Sequence, residues 1–485
     1  MSEAGVAAFQ AGRWVEAIVA FRDAVQADPQ DHWSRLNLAR ACFNLKDFVT
    51  CNRVLRDLVA AGPVPEIRFP ALEMQAYVAP FDPTMDNAAL LQLSRDWATV
   101  LRGRAGDILP PPPAPAVRER LTIGFLCAYF GAPIDYLPVG LLDRAGFRVI
   151  GYGAARRPVP QLESMPRFDL YRDLSGLDDR AAAERIRADE VDILVDLGGQ
   201  GWGQRNGILL HRPAPVSVGW SNRLYPASGA LIDWLLADWV TMPVGAERAE
   251  EVRVWRMSEP VLPCNHLQPP PPPGHPAADA PITFGTVASP FKLNGATLAL
   301  WAAVMRAVPG SRFLYAMETM SGDQAQHVAR LFRDAGIGPE RVELRALEPN
   351  TLPLAINDVD VVLDTQPFTA NFTTWQAAAQ GVPMVSLRGT RYSGRMAAAV
   401  LTALGRVDWV AETPEQFVEM AVAMAGQARA AAGQRAARAE RARTARMADP
   451  AHAARILGRA LQGIWADEVA RHAEGGGAGS GAAAA

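Results

Sequence analysis

The sequence predicts a doubly wound α/β protein with an all-α repeat segment in front of it. Three observations carry this. Apolar runs alternate with amphipathic stretches from Arg118 onward, the first segment repeats with a fixed period, and two proline runs divide the chain. The most informative stretch is Val359 to Leu387. Its two apolar runs, Val359 to Leu363 and Val382 to Leu387, flank a connection with room for one helix, which makes a βαβ unit.

Gly5, Ala8, Ala17, Phe21, Ala24 and Pro29 fall at the spacing of a tetratricopeptide unit, and Ala39, Cys42, Leu55, Leu58 and Pro63 echo it 34 residues on. Small residues let two antiparallel helices approach, Phe21 fills the gap, and Pro29 ends the second helix. Two repeats are short for a stable stack, so the helices Glu66 to Val78 and Asn87 to Arg102 are expected to cap the array. The functional reading is a groove for a partner polypeptide, and the plain one is a helical spacer.

Leu109 to Ala116 (LPPPPAPA) is a stiff linker. Strands are then predicted over Leu121 to Ala128, Phe147 to Tyr152, Val191 to Leu197, Val216 to Trp220 and Ile232 to Leu236, with a helix over Asp178 to Asp189. Glycine-rich loops follow two of these strands, at Phe130 to Ile134 and Gly198 to Gly203, and neither has the dinucleotide-binding spacing.

A second proline run, Pro269 to Pro273, precedes another α/β set. Strands are expected at Ile282 to Ala288, Arg312 to Ala316 and Val342 to Ala346, and helices at Gly295 to Val308 and Asp323 to Ala335, before the Val359 to Leu387 unit. Lys292 lies in the turn after the first of these strands, just before a helix capped by Asn294. Of the 48 basic residues only Lys46 and Lys292 are lysine, which singles out a point charge suited to a phosphate. Thr369 to Thr374 leads into a helix ended by Gly381. Such a helix start, with unpaired N–H groups and hydroxyl side chains, suits a phosphate or a ribose, although an ordinary N-cap looks the same. Asp358-Val-Asp360 matches a metal-binding Asp-x-Asp only superficially, since it opens a strand, so no metal is expected. Gln427 to Arg446 reads as a helix with a solvated charged face, and the low-complexity tail as disordered.

With 51 acidic and 48 basic residues there is no clustered basic excess to suggest nucleic acid. Four cysteines without paired spacing point to reduced thiols and a cytoplasmic setting, and no signal peptide or membrane span is expected.

Several blocks together resemble a known group: Asp192 to Arg205, Arg212 to Trp220, Tyr225 to Asp238, the Lys292 turn, Val361 to Thr365, the Thr373-Thr374 helix start, Gly381 to Leu387 and Ser393 to Gly405. Preceded by tetratricopeptide repeats, they look like the O-linked N-acetylglucosamine transferase and SPINDLY family. The resemblance implies a glycosyltransferase B type fold of two facing Rossmann-like domains. It also implies inverting, metal-independent transfer from a nucleotide sugar, without a cofactor, to Ser or Thr of a polypeptide docked by the repeats. The implied division is 1–108 for repeats and connecting helices, 118–262 for the acceptor-side domain, 281–466 for the nucleotide-sugar side and 467–485 for the tail.

By the same resemblance Lys292 and Ser289 fall at the donor diphosphate, Asn371, Phe372, Thr373, Thr374 and Gln376 at the nucleotide-binding helix, and Arg395 near that pocket. Asn371 and Gln376 stand where the family has a histidine and a ribose-binding aspartate. The family's active-site histidine falls on Pro133, leaving Asp135 and Tyr136 for proton transfer or acceptor orientation. Gly199, Gln200, Gly201 and Tyr225 lie on the acceptor side, Gly201 in place of a family threonine. These departures fit either a changed donor or a non-catalytic scaffold. The changed donor includes CMP-linked nonulosonic acid, with flagellin as acceptor, as in bacterial members resembling this chain. Self-association through the repeats is a further expectation.

Overall fold

The computed structural model describes residues 2–128, 130, 138–155, 167–199, 204–220, 229, 231–249, 251–260, 280–318, 320–348, 351–428 and 432–478. Six helices come first: α1 (Glu3–Gln10), α2 (Trp14–Ala27), α3 (His32–Leu45), α4 (Phe48–Ala60), α5 (Pro65–Val78) and α6 (Asn87–Arg104). The first α/β set follows as β1 (Leu121–Cys127), β2 (Phe147–Gly153), β3 (Leu170–Asp173), α7 (Asp179–Ala188), β4 (Ile193–Asp196), α8 (Gly207–Leu210), β5 (Val216–Gly219), β6 (Trp234–Asp238) and β7 (Arg253–Met257). The second set opens with β8 (Thr283–Val287), α9 (Gly295–Ala307), β9 (Arg312–Glu318), α10 (Gly322–Asp334), β10 (Val342–Leu347), α11 (Leu352–Ala355), β11 (Val361–Leu363) and α12 (Phe372–Ala379). It closes with β12 (Met384–Leu387), α13 (Met396–Ala403), β13 (Val410–Ala411), α14 (Pro414–Ala428), α15 (Arg435–Arg443) and α16 (Pro450–Ala478).

The chain divides into two compact units, each built from two separated stretches: residues 1–86 with 268–445, and residues 87–267 with 446–485. In the first unit α1 to α4 form the two expected repeats, with Ala8, Ala17 and Phe21 buried between helices, and α5 packs on α3 and α4 to close the array. Its sheet is wholly parallel in the order β10-β9-β8-β11-β12-β13. Helices α9, α10 and α14 share one apolar core with it, around Trp301, Phe313, Phe332 and Phe417. Right-handed crossovers put α12 and α13 on the opposite face. There α12 packs against α13 and α15.

The second unit carries a seven-stranded parallel sheet, β3-β2-β1-β4-β5-β6-β7. Its core includes Phe125, Val195, Val218 and Leu236 from the strands and Ile456, Leu457, Leu461 and Ile464 from α16.

Four expectations are corrected. Helix α6 does not cap the repeats: its buried face (Leu90, Leu93, Trp97) goes to the second unit, where it meets α8 and Ala246–Ala249, and Arg95 pairs with Glu251 at 2.5 Å. The segment from 450 to 466, expected with the second α/β set, packs on the first sheet because its apolar stripe fits there. The tail does not begin at 467. Glu468 is buried and accepts from Trp234 Nε1 at 2.7 Å, Arg253 pairs with the same carboxylate, and α16 runs on to Ala478. At Gly463 a Cβ would meet the edge of the Trp255 ring, so a larger residue there would have to displace that ring. Finally, the charged stretch from Gln427 is not one solvated helix. Arg435 is only 4 % exposed, and Arg435, Arg438 and Arg443 donate to Gln380 O, Gly381 O and Ala379 O at the carboxyl end of α12. Three strands also go unseen in the sequence. β3 and β7 are polar strands at the sheet edges, and β13 is two residues long.

Replacing Glu468 strands the buried Trp234 N–H and leaves Arg253 with only its longer pair to Asp467. Glu468→Ala is expected to lower the stability of the second unit by about 2 to 3 kcal/mol, read as a shifted urea midpoint for the Trp234 fluorescence transition.

Candidate functional site

In a parallel sheet the strand order reverses at one point, and the two loops leaving the carboxyl ends there open a crevice for ligand. In the first unit β8 and β11 are the neighbours on either side of that reversal. The β8 loop carries Ser289 and Lys292, and the β11 loop runs from Asp364 to the head of α12. Lys292 and Thr373 therefore arrive at the same place from strands 77 residues apart in pairing, the separation at which Lys292 Nζ donates to Thr369 O at 3.0 Å.

The Lys292 ammonium also lies 4.5 Å from the centre of the Phe368 ring. Burial lowers its pKa to about 8, and the neighbouring Asp364 carboxylate acts in the opposite sense. Asp364 is only 1 % exposed. One of its oxygens accepts from the backbone N–H groups of Thr365 and Ala370, both at 2.8 Å, and the other from Ser386 Oγ at 2.6 Å. Burial raises its pKa, while Ser386 and the Lys292 charge oppose the rise. The candidates read from the sequence do not include Asp364. Its signal was there in the abrupt acid closing an apolar run.

The other candidates sort by what their side chains do. Thr373 Oγ1 donates to Val287 O at 3.0 Å, which ties the head of α12 to the end of β8 and leaves Thr373 half-buried. Thr374 is fully buried and donates to Ala370 O at 3.2 Å; Thr369 is fully buried and donates to Ser393 O at 3.0 Å. These two hydroxyls brace the loop, and since the Thr373 proton is committed to Val287 O, the expectation of several hydroxyls facing a ligand narrows to the accepting oxygen of half-buried Thr373. Asn371 occupies the N-cap position without closing the cap, and its Oδ1 is buried with no donor. Gln376 is buried one turn along and Phe372 half-buried, while Ser289 is exposed with its carbonyl accepting from Lys292 N. Arg395 donates Nε to Gly389 O at 2.9 Å, and the Thr369 N–H to Ser393 O bond ties its turn to the site loop. Asp358 pairs with Arg345 and Asp360 accepts from Thr283 N, so the two aspartates face different partners.

The helix itself is fixed from behind. Gly381, with φ +70°, ends it, and a Cβ there would meet Arg435 O at 2.0 Å. Its carboxyl end is clasped by three arginines, and its amino end, where the helix dipole is positive, lies beside the end of β8 through the Thr373 to Val287 bond.

In the second unit the reversal falls between β1 and β4. Gly199 follows β4 with φ +58°, and the N–H groups of Gly198 and Gly199 are accepted by Asp196 at 3.0 and 3.1 Å. Asp135, Tyr136, Gln200, Gly201 and Tyr225 lie outside the described residues.

The family model described as Glycosyl transferase family 41 matches residues 115–260 and 276–452, and a tetratricopeptide repeat model matches 8–69. Curated relatives include the SPINDLY proteins of Petunia hybrida and of Oryza sativa subsp. japonica, each named a probable UDP-N-acetylglucosamine–peptide N-acetylglucosaminyltransferase. They are 25% identical over 367 residues and 27% identical over 379, each match covering 72% of this chain. The chain spans about two fifths of their length, 39% and 40%. Among solved structures, a point mutant of the O-GlcNAc transferase of Thermobaculum terrenum superposes with a TM-score of 0.81 at 26% identity, covering 96% of this chain and 90% of that one. Two parallel-sheet Rossmann-like units behind tetratricopeptide helices are the glycosyltransferase B arrangement, and with the family model spanning more than half of its residues the chain belongs to glycosyl transferase family 41.

Proposed function

We propose that this chain is a protein O-glycosyltransferase that moves a sugar from a nucleotide-sugar donor to a Ser or Thr hydroxyl of a polypeptide. The observation that carries the reading is the convergence of the Lys292 ammonium and the amino end of α12 at one switch point. The relatives' names make UDP-N-acetylglucosamine the first donor to try. The diphosphate lies against Lys292 and the first N–H groups of α12, and the unsatisfied Asn371 Oδ1 takes a hydroxyl or N–H of the nucleoside. Gln376 and Arg395 flank that end.

Transfer is a single inverting displacement. The acceptor oxygen attacks the anomeric carbon, the bond to the diphosphate breaks, and the charge that develops on the leaving phosphate meets the ammonium and the helix dipole. That positive charge takes the place of a metal ion. The Asp135 carboxylate receives the acceptor proton while Tyr136 orients the acceptor, and Gly199, Gln200, Gly201 and Tyr225 shape the acceptor side. The repeats dock the polypeptide, with flagellin one candidate. Their exposed apolar side chains include Val15, Val19 and Trp33, the last 45% exposed. Free thiols at Cys42 and Cys51 agree with a cytoplasmic setting. Among the described residues no helix is long and apolar enough to cross a membrane.

Lys292→Ala is expected to slow turnover about a hundredfold or more with the melting temperature retained; undiminished turnover would remove the assigned role. The pH dependence has a definite sign. The free protein's ammonium loses its proton near pH 8, well below an ordinary lysine, because it is desolvated. Affinity for UDP, followed by calorimetry, should therefore fall as pH rises through about 8. Lys292→Arg should remove that inflection, since a guanidinium keeps its charge. A thermal-shift panel of UDP, GDP and CMP with their sugars separates the donors by mass action. Stabilisation by CMP alone selects the nonulosonic-acid donor, and silence toward every nucleotide selects the scaffold.

A further inference from the structure

Lys292 belongs to a short turn, Pro290–Lys292, whose middle residue does not pack on its own sheet. The Phe291 ring enters the core of the repeats, 4.1 Å from Phe48 and 5.2 Å from Tyr77, centre to centre. Phe81, just past α5, stacks on Phe291 at 5.4 Å and 25° on one side and on Phe368 at 5.0 Å and 20° on the other. Phe368 is the ring beneath the Lys292 ammonium. A column of rings thus runs from the second repeat to the phosphate-binding lysine and grips it at both ends, through its neighbour Phe291 and through the surface its charge rests on. The backbone is fastened in the same place. Asn294 donates to Phe81 O at 3.3 Å, and Arg391 to Pro80 O and Asp82 O, each at 3.2 Å.

We infer that the tetratricopeptide repeats are part of the donor site: the Phe48–Phe291–Phe81–Phe368 column holds the Lys292 ammonium in register with the head of α12, which makes Phe81 a positioning residue for donor phosphate. A lysine has four rotatable bonds and no planar fork to fix it, so the face of Phe368 and the carbonyl of Thr369 define where its charge sits. Those two groups share a loop that Phe81 steadies through its ring. The inference rests on the reading that Lys292 binds the donor phosphate. It adds that the repeats act on the donor as well as on the acceptor.

The test compares UDP with uridine, which lacks the phosphates, by calorimetry on the full chain. Phe81→Leu is expected to weaken UDP about fivefold or more and to leave uridine within about twofold, whereas Phe81→Tyr, which keeps the ring, should retain the original UDP affinity. Phe21→Leu removes a buried ring from the first repeat that makes no ring contact with the column, and should leave the UDP to uridine ratio unchanged. If Phe81→Leu fails to fold, Phe368→Leu at the lysine end should show the same selective loss. Equal weakening of UDP and uridine, or no weakening of UDP, overturns the inference. Lys292→Ala distinguishes its failure from that of the reading beneath it. If Lys292→Ala weakens UDP and Phe81→Leu does not, only the inference falls; if Lys292→Ala leaves UDP binding intact, both fall.

Discussion

A buried negative charge facing a half-buried positive one is the constraint on which the site depends. Asp364 is sealed at the end of β11 and accepts three hydrogen bonds, two from the backbone of the loop it begins. Those bonds fix the course of the chain from Thr365 to Ala370, and that course fixes where Thr369 O and the Phe368 face meet Lys292. A loop without this internal carboxylate would need its own N–H groups satisfied by water, which a buried position does not supply. The device recurs. Asp196 ends β4 and accepts from Gly198 and Gly199, and Asp238 ends β6 and accepts from Val240 and Thr241. Three strands thus end in an acid that turns the chain, and two of the three border a switch point.

Helix α12 shows why the chain uses arginine so heavily. Its carboxyl end is closed by forks from Arg435, Arg438 and Arg443, each reaching a main-chain carbonyl. A guanidinium does this well because its planar donors meet carbonyl oxygens at fixed angles and its charge survives burial, even though burial pulls the pKa of Arg435 down to about 10. A lysine in the same place would discharge more readily. Conversely, the proposed phosphate-binding role suits a compact charge whose pKa burial has lowered to about 8, as at Lys292. Arginine carries the structural work, and the two lysines are Lys46, half-buried in the turn after α3, and Lys292 at this site. Both lysines lie beside Phe291, the first at 5.7 Å from its ring.

Much of this was legible in the sequence. The period of 34, the apolar runs and the proline stretches mark repeats and parallel sheets because each reflects a local rule of spacing or backbone chemistry. Lys292 and Thr373 could be paired because a lone lysine after one strand and a polar helix start after another are both expected at a switch point. What stayed hidden depends on partners remote in sequence. Nothing within α16 says that its apolar stripe lies on a sheet built from residues 121–257, and Glu468 reads as a surface acid until Trp234 and Arg253 are beside it. Arginines at 3.6-residue spacing look solvated unless a helix end is known to stop against them. The hydroxyls of Thr369 and Thr374 look like ligand groups until the loop folds back and uses them.

The placement of the repeats changes what their removal can mean. They join the unit that contains Lys292, and Phe43 and Phe48 of the second repeat surround Phe291 with ring centres 5.9 and 4.1 Å away. Cutting the chain after Pro63 would take both rings away and leave Phe291 facing water on that side. On the proposed function, a chain so truncated would lose acceptor docking and the bracing of Lys292 together, so a drop in turnover would not separate the two. Substitutions on the exposed side of the array, at Trp33 for example, touch only the first of these roles and leave the aromatic column intact. Separating docking from donor binding is therefore a matter of which face of the repeats is altered, because one face looks to solvent and the other is built into the lysine's own support.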